Sequence, residues 1–230
     1  MSIDRTGGAR TRRPSERMNE LDEAEPVADH ALDPAVVGVL AVEAKRQLRK
    51  RARGVRASLP RAAIVARSAA LVERLLAVDR VAKAKSVALF FPMIGKNEVD
   101  LTPADAKLRS RGASVLYPAI DQETGAMTFR DPGSLEGLEE RGRGFAEPAP
   151  DAPALEAIDV IVVPALMVDP RGHRLGYGAG FYDRTLPRYR PHAWAVVVAF
   201  DFQLAAELPI DEHDVPCDAV VTEARVIVVA

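Results

Sequence analysis

The chain has 230 residues, 48% of them hydrophobic and 28% charged, which gives room for a real hydrophobic core and excludes a mini-protein, a collagen-like chain or wholesale disorder. Thirty-one basic residues against thirty-three acidic ones leave a net charge of -2, so no global field is present for gripping nucleic acid or an anionic membrane. A lone cysteine, Cys217, excludes an internal disulfide or a zinc cluster and fits a reducing compartment, which makes the cytoplasm the expected location.

Residues 1–34 hold five arginines, eight acidic residues and few large apolar side chains, with Gly7, Gly8, Pro14, Pro26 and Pro34 as breakers. This composition predicts a flexible N-terminal extension ahead of one folded domain over 35–230. The arginines there precede no apolar run of the kind a signal peptide carries. From Pro34 to Leu59 the chain can run as helix, and Glu43 to Arg67 holds nine Lys/Arg against one Glu. On composition this is a solvated basic helix face.

Beyond Pro60, the spacing of Ile64, Ser68, Leu71, Val72, Leu75 and Leu76 predicts an amphipathic helix with one face on a core. After Lys85 the period changes. Residues 86–92, 114–118, 127–130, 159–164, 193–200 and 218–229 are short β-branched or apolar runs bounded by Pro, Gly or Asp, and several are apolar throughout, as strands covered on both faces must be. Helices are expected between them at 103–111, 151–157, 180–189 and 202–207, with 131–150 as a long loop. The longest apolar runs fall short of the ~20 residues a membrane helix needs. The alternation predicts a single three-layer α/β/α domain, Rossmann-like, around a mostly parallel, mixed sheet.

In such sheets ligands bind beyond the carboxyl ends of the strands, so the loops there are the places to look. The loop after 159–164 alternates Gly176, Gly178 and Gly180 behind Arg174, a pattern that turns backbone N–H groups towards one concavity and suits a phosphate, though a tight structural turn is the plain alternative. Its spacing is neither the Rossmann glycine interval nor a P-loop. Arg171 and Arg174 can meet phosphate oxygens, and Tyr177, Phe181 and Tyr182 offer rings. Asp183 could hold a hard cation or simply serve the dipole of the following helix. The loop at 92–101 groups Lys96, Glu98 and Asp100; Glu98 could accept from an amine, and Asp100 reads as a helix cap. A carboxylate cluster of Asp211, Glu212, Asp214 and Asp218 precedes the last run. The four histidines have no metal spacing, and Cys217 reads as a packing residue.

Taken in order, KRQLR (45–49), NEVD (97–100), GFAEP (144–148), the block at 159–186 with its RLGYGAGFYD, and LPIDEHDVPCDAVVTE (208–223) resemble the 5-formyltetrahydrofolate cyclo-ligase family, and the likeness runs from Val42 to the C-terminus. The resemblance implies an enzyme, a ligase that closes 5-formyltetrahydrofolate to 5,10-methenyltetrahydrofolate with ATP and Mg2+. It places Lys45 and Arg49 on ATP phosphates, against the solvated-face reading at those two positions. It puts Arg174, Leu175, Gly176, Tyr177, Gly178, Ala179, Gly180, Phe181 and Tyr182 on ATP, with Arg174 and Tyr182 as catalytic residues. Tyr177 to Phe181 would also line the folate side, Glu98 would bind the pterin, and Asp183 and Asp214 would hold magnesium. The partners implied are a reduced folate and ATP, with no nucleic acid or membrane, for a monomer. Two departures stand out: Ala179, where the family often has Gly or a basic residue, and Phe181, where Tyr is usual. They leave, as the alternative, a related folate- or nucleotide-binding protein without this activity.

Overall fold

A computed structural model describes residues 33–229. The extension expected over residues 1–34 lies, up to residue 32, outside them. The described chain opens with helix α1 (Pro34–Ala57), followed by α2 (Arg61–Ala77) and the short α3 (Asp79–Lys83). Pro60 ends the first helix and starts the second, its carbonyl accepting the N–H groups of Ala63 and Ile64 at 3.0 and 3.2 Å. On α2, Ile64, Ser68, Leu71, Val72 and Leu75 are buried as their spacing predicts, each large apolar side chain contributing about 1.5–3 kcal/mol by leaving water.

Then come β1 (Ser86–Ala88), α4 (Thr102–Ser110), β2 (Ser114–Ile120) and β3 (Met127–Arg130). These lead into a small hairpin of β4 (Leu138–Glu140) and β5 (Ala146–Pro148). Strand β6 (Val160–Pro164) precedes a tight pair, β7 (Met167–Val168) and β8 (Arg174–Leu175), and then α5 (Phe181–Tyr189). The chain closes with β9 (Trp194–Val198), β10 (Ala219–Val221) and β11 (Val226–Val228).

Seven strands form one sheet in the order β11, β10, β9, β6, β1, β2, β3. The five inner strands are parallel, and the two edge strands, β11 and β3, run antiparallel to their neighbours. Alternate side chains divide the core. Val87, Val115, Val162 and Val196 pack with α2 and α4, while Ala88, Leu116, Ile161 and Val197 pack with Leu186 and Tyr189 of α5. The three-layer architecture is thus as the alternation of strands and helices predicts, and the inner strands β6, β9 and β10 are apolar throughout because both faces are covered.

Several local expectations fail for identifiable reasons. No helix forms at 151–157: Pro150 and Pro153 interrupt it, and the segment instead lies along β3, with an isolated bridge from Ala154 to Arg130. The run at 218–229 is two strands, because the Thr222 hydroxyl accepts the N–H groups of Ala224 and Arg225 at 3.1 and 3.0 Å and turns the chain. The supposed loop at 131–150 contains the β4–β5 hairpin. The helix expected at 202–207 is one 3-10 turn, Asp201–Gln203.

Candidate active site

A cavity of about 460 Å³ opens beyond the carboxyl ends of the parallel strands. Phe90 and Phe91, just past β1, and Pro164, the last residue of β6, form part of its wall. The parallel order reverses at β1, so the cavity sits at the topological switch point, where the loops of neighbouring strands diverge. It brings together the residues to which the family resemblance gives binding or catalytic roles: Lys45, Arg49, Glu98, the continuous stretch from Arg174 to Asp183, and Asp214.

One half of the cavity is ionic. Arg174 emerges from β8 and donates from Nη2 to Asp183 Oδ1 at 2.6 Å and from Nη1 to the Val215 carbonyl. Asp183, in the first turn of α5, also accepts the Val215 N–H at 3.2 Å. Asp183 thus stands in the first turn of α5, as its helix-dipole reading expects, and its side chain also lines the cavity. Lys45, 6% exposed, donates to Asp211 and Asp214 at 2.6 Å each. Arg49 donates to the Gly176 carbonyl at 3.0 Å and lies against Gly178.

The glycine loop needs its glycines at two places. Gly178 and Gly180 have φ of +108° and +67°, and a Cβ on Gly180 would meet Arg184 Nη1 at 2.7 Å. Gly180 is also the residue from which α5 begins, so the loop delivers a helix N-terminus with its partial positive charge to the cavity.

A magnesium ion fits this donor set. Asp183 and Asp214 both line the cavity, and the N–H of Val215, the residue after Asp214, is on Asp183, so two hard carboxylate donors belong to one stretch of wall, paired to Arg174 and Lys45. The described residues contain no group of three or more His, Cys, Asp or Glu able to hold a metal unaided. Two carboxylates completed by phosphate oxygens is the arrangement magnesium prefers.

Burial pushes the Asp214 carboxyl up. The Lys45 hydrogen bond, the Asp211 N–H and the charges of Lys45 and Arg174 outweigh that, leaving it below its usual 3.8. Burial likewise pushes Lys45 down, and its bonds to Asp211 and Asp214 more than reverse this. A depressed carboxyl stabilises the fold fully above its unfolded value and stops doing so as pH falls through its folded value. Asp214→Asn should therefore flatten the loss of stability on acidification from pH 4 downwards, measured by chemical denaturation at each pH. An unchanged slope would remove Asp214 from the linkage.

The other half of the cavity is apolar around one buried carboxylate. Glu98, 7% exposed, accepts the Met93 N–H at 2.8 Å and the Tyr177 hydroxyl at 2.9 Å. Behind them stands Arg56, 3% exposed, hydrogen-bonded to the Tyr177 hydroxyl and 3.7 Å from Glu98. Asn97, at φ +50°, donates to the carbonyls of Arg56 and Leu59, which ties the Glu98 loop to the end of α1. Burial and the Glu98 charge push the Tyr177 phenol well above its usual range. Arg56 was not singled out from the sequence. Its signal was there in the helical spacing, because it follows Arg49 by two turns on the same face of α1.

Tyr182 carries a hydroxyl that is buried and has no hydrogen-bond partner among the described residues, although the side chain lines the cavity. A buried orphan hydroxyl is costly unless a ligand completes it. Tyr182→Phe should therefore leave the melting temperature unchanged or raised while lowering turnover or ligand affinity several-fold, about the value of one hydrogen bond. Unchanged kinetics would show that the hydroxyl touches nothing.

Other nominated residues lie elsewhere. Arg171 lies outside the cavity lining and pairs with Glu207 at 2.8 Å and Asp169 at 3.4 Å. Lys96 is exposed, and Asp100 accepts the Thr102 N–H at the start of α4, as its cap reading predicts. His173, His192 and His213 pair with acidic neighbours outside the cavity. Cys217 is buried in the core on the α5 side, as a packing residue.

A sequence model of the 5-formyltetrahydrofolate cyclo-ligase family matches residues 41–223. The chain is 33% identical over 158 residues to the 5-formyltetrahydrofolate cyclo-ligase of Escherichia coli, covering 66% of this chain and 86% of that one. It is 40% identical over 126 residues to the enzyme of the same name from Mycolicibacterium smegmatis, covering 51% and 63% respectively. Among solved structures, it is similar to Aquifex aeolicus 5,10-methenyltetrahydrofolate synthetase with a TM-score of 0.70 at 32% identity, covering 80% of this chain and 92% of that chain.

Proposed function

Since this chain belongs to the 5-formyltetrahydrofolate cyclo-ligase family, a family of ligases, we propose that it converts 5-formyltetrahydrofolate to 5,10-methenyltetrahydrofolate while cleaving Mg-ATP to ADP and phosphate. The observation that carries this reading is the two-sided cavity. An ionic half, with Lys45, Arg49 and Arg174 among Asp183, Asp211 and Asp214, and an apolar half with one buried carboxylate share a single glycine loop, so a nucleotide and a ring system can meet there.

A formyl oxygen is a poor leaving group, so ring closure needs it phosphorylated first. The oxygen attacks the γ-phosphorus and ADP departs. The neighbouring nitrogen then adds to the activated carbon and loses its proton, and phosphate leaves with the former formyl oxygen. This chemistry calls for positioning and charge neutralisation rather than a protein nucleophile.

In this scheme Lys45, Arg49 and Arg174 hold phosphate oxygens, and the backbone of Leu175 to Phe181 curves around them. Glu98, fixed by Tyr177 and the Met93 N–H, accepts from the amino and ring N–H groups of a pterin. Tyr177, Phe181 and Tyr182 exclude water from the reacting atoms, and the free Tyr182 hydroxyl reaches the phosphoryl or formyl oxygen. Magnesium, held by Asp183 and Asp214, would neutralise phosphate charge. Lys45 and Arg174 then turn from those carboxylates to the phosphates, a repartnering that needs no new charge.

We place the protein in the cytoplasm as a monomer acting on small molecules. No described helix is long and apolar enough to cross a membrane. Purified protein with Mg-ATP and 5-formyltetrahydrofolate should generate the near-ultraviolet absorbance of methenyltetrahydrofolate. No product at high enzyme concentration would sink the activity. Ligand-induced thermal stabilisation without ATP consumption would point instead to a binding protein, the reading that Ala179 and Phe181 left open.

A further inference from the structure

Four cationic side chains line the cavity: Lys45, Arg49, Arg143 and Arg174. Three of them are bound within 3.0 Å to acceptors of the protein itself. Arg143 is the exception. Among the described residues its one polar neighbour is the Glu147 carboxylate, 3.7 Å from Nε and beyond hydrogen-bond reach.

The placement of Arg143 is as informative as its freedom. It lies on the turn between β4 and β5, which is held by the N–H groups of Gly142 and Gly144 donating to Glu140 at 2.9 and 2.7 Å. Around it the cavity wall is apolar, formed by Ile120 at the end of β2, Met127 of β3 and Phe145. β2 and β3 lie at one edge of the sheet, whereas Asp214 leads into β10 at the other side, so Arg143 and the Lys45–Asp214 pair mark opposite ends. A guanidinium at an apolar end, about one-third exposed and without an acceptor, is poised for an anionic group on the far part of a ligand. Behind it, Glu147 is only 2% exposed, and its Oε1 has no hydrogen-bond partner among the described residues. At 3.7 Å the two form an ion pair without a hydrogen bond, which sets the guanidinium at this rim and leaves its N–H groups for a ligand.

We propose that Arg143 is a specificity-determining residue that takes a carboxylate at the glutamyl end of the substrate, with Glu147 as the residue that positions it. The proposal rests on the folate reading of the cavity and deepens it. The ionic half orients the nucleotide and Glu98 the pterin, so the remaining charged group of a folate is its glutamyl tail, and Arg143 is the cavity cation left for it.

The test compares 5-formyltetrahydrofolate with 5-formyltetrahydropteroate, which lacks the glutamyl group, using wild type, Arg143→Gln and Arg143→Lys. Arg143→Gln should raise KM for the folate about tenfold, the factor expected for one partly exposed charge-assisted contact, while KM for ATP stays the same. For the truncated compound, variant and wild type should share one KM, and Arg143→Lys should recover part of the folate preference. Equal losses on both compounds, or none on either, would overturn the proposal. Calorimetric binding of the two compounds without ATP gives a second readout. A wild type that binds both compounds but forms no methenyl product would end the activity reading, and the binding preference would still decide the role of Arg143.

Discussion

Arg174→Gln should lower kcat/KM for the Mg-ATP-dependent reaction by about a hundred- to a thousandfold, the range seen when one preorganised donor to a developing charge is removed. Arg174 is the most constrained cation in the cavity, with a side chain only 5% exposed and bonds to both Asp183 and the Val215 carbonyl. The loss should fall mainly on kcat, because the interaction is needed as charge accumulates on the transferred phosphoryl group. KM for the folate, bound at the other half, should change little. Asp183 keeps the Val215 N–H, so the tie between α5 and the chain at Val215 persists and the fold should survive. A loss of less than tenfold in kcat would remove Arg174 from the reaction.

The largest effect on stability is expected from Arg56→Met. Methionine fills most of the volume but leaves the buried Glu98 carboxylate without its cation. Breaking a buried ion pair from one side costs about 3–5 kcal/mol. For a domain of this size, each kcal/mol lowers the melting temperature by about 2–4 °C, so a drop of roughly 10 °C should appear in a thermal melt. The double variant Arg56→Met with Glu98→Leu should recover much of that loss, since an apolar pair carries no buried charge, and it should also lose folate affinity because Glu98 is gone. A single variant as stable as wild type would show that Arg56 and Glu98 are not energetically coupled.

Two kinds of signal made much of this legible from residues alone. Strands covered on both faces leave continuous apolar runs, so β6 and β9 were visible, and the 3.6-residue period of Ile64, Leu71 and Leu75 marked α2. The loop from Arg174 to Asp183 was visible through its company: the alternating glycines alone read equally as a structural turn, and the arginine, the aromatic rings and the aspartate beside them pointed to a ligand. What stayed hidden lacked periodicity. The β4–β5 hairpin is made of three-residue strands, too short to show a period, so its sequence reads as loop, and with it Arg143 went unnoticed as a lining residue. Arg56 was hidden for a different reason: within a run of nine basic residues, composition cannot say which one turns inwards. Only the contact with Tyr177 and Glu98, 121 and 42 positions further along the chain, distinguishes it.

Helix α1 carries one further implication. Lys45, Arg49 and Arg56 occupy a single face of one rod, and they reach the ionic half, the glycine loop and the Glu98 half in turn. Eleven residues at 1.5 Å per residue separate the first from the last, about 16 Å of rigid axis. The gauge between the two halves of the cavity is therefore set by counting residues along a helix rather than by the slack of loops. An insertion or deletion between 49 and 56 would turn the two ends out of phase by about 100° per residue, so this stretch can tolerate changes of side chain but not of length.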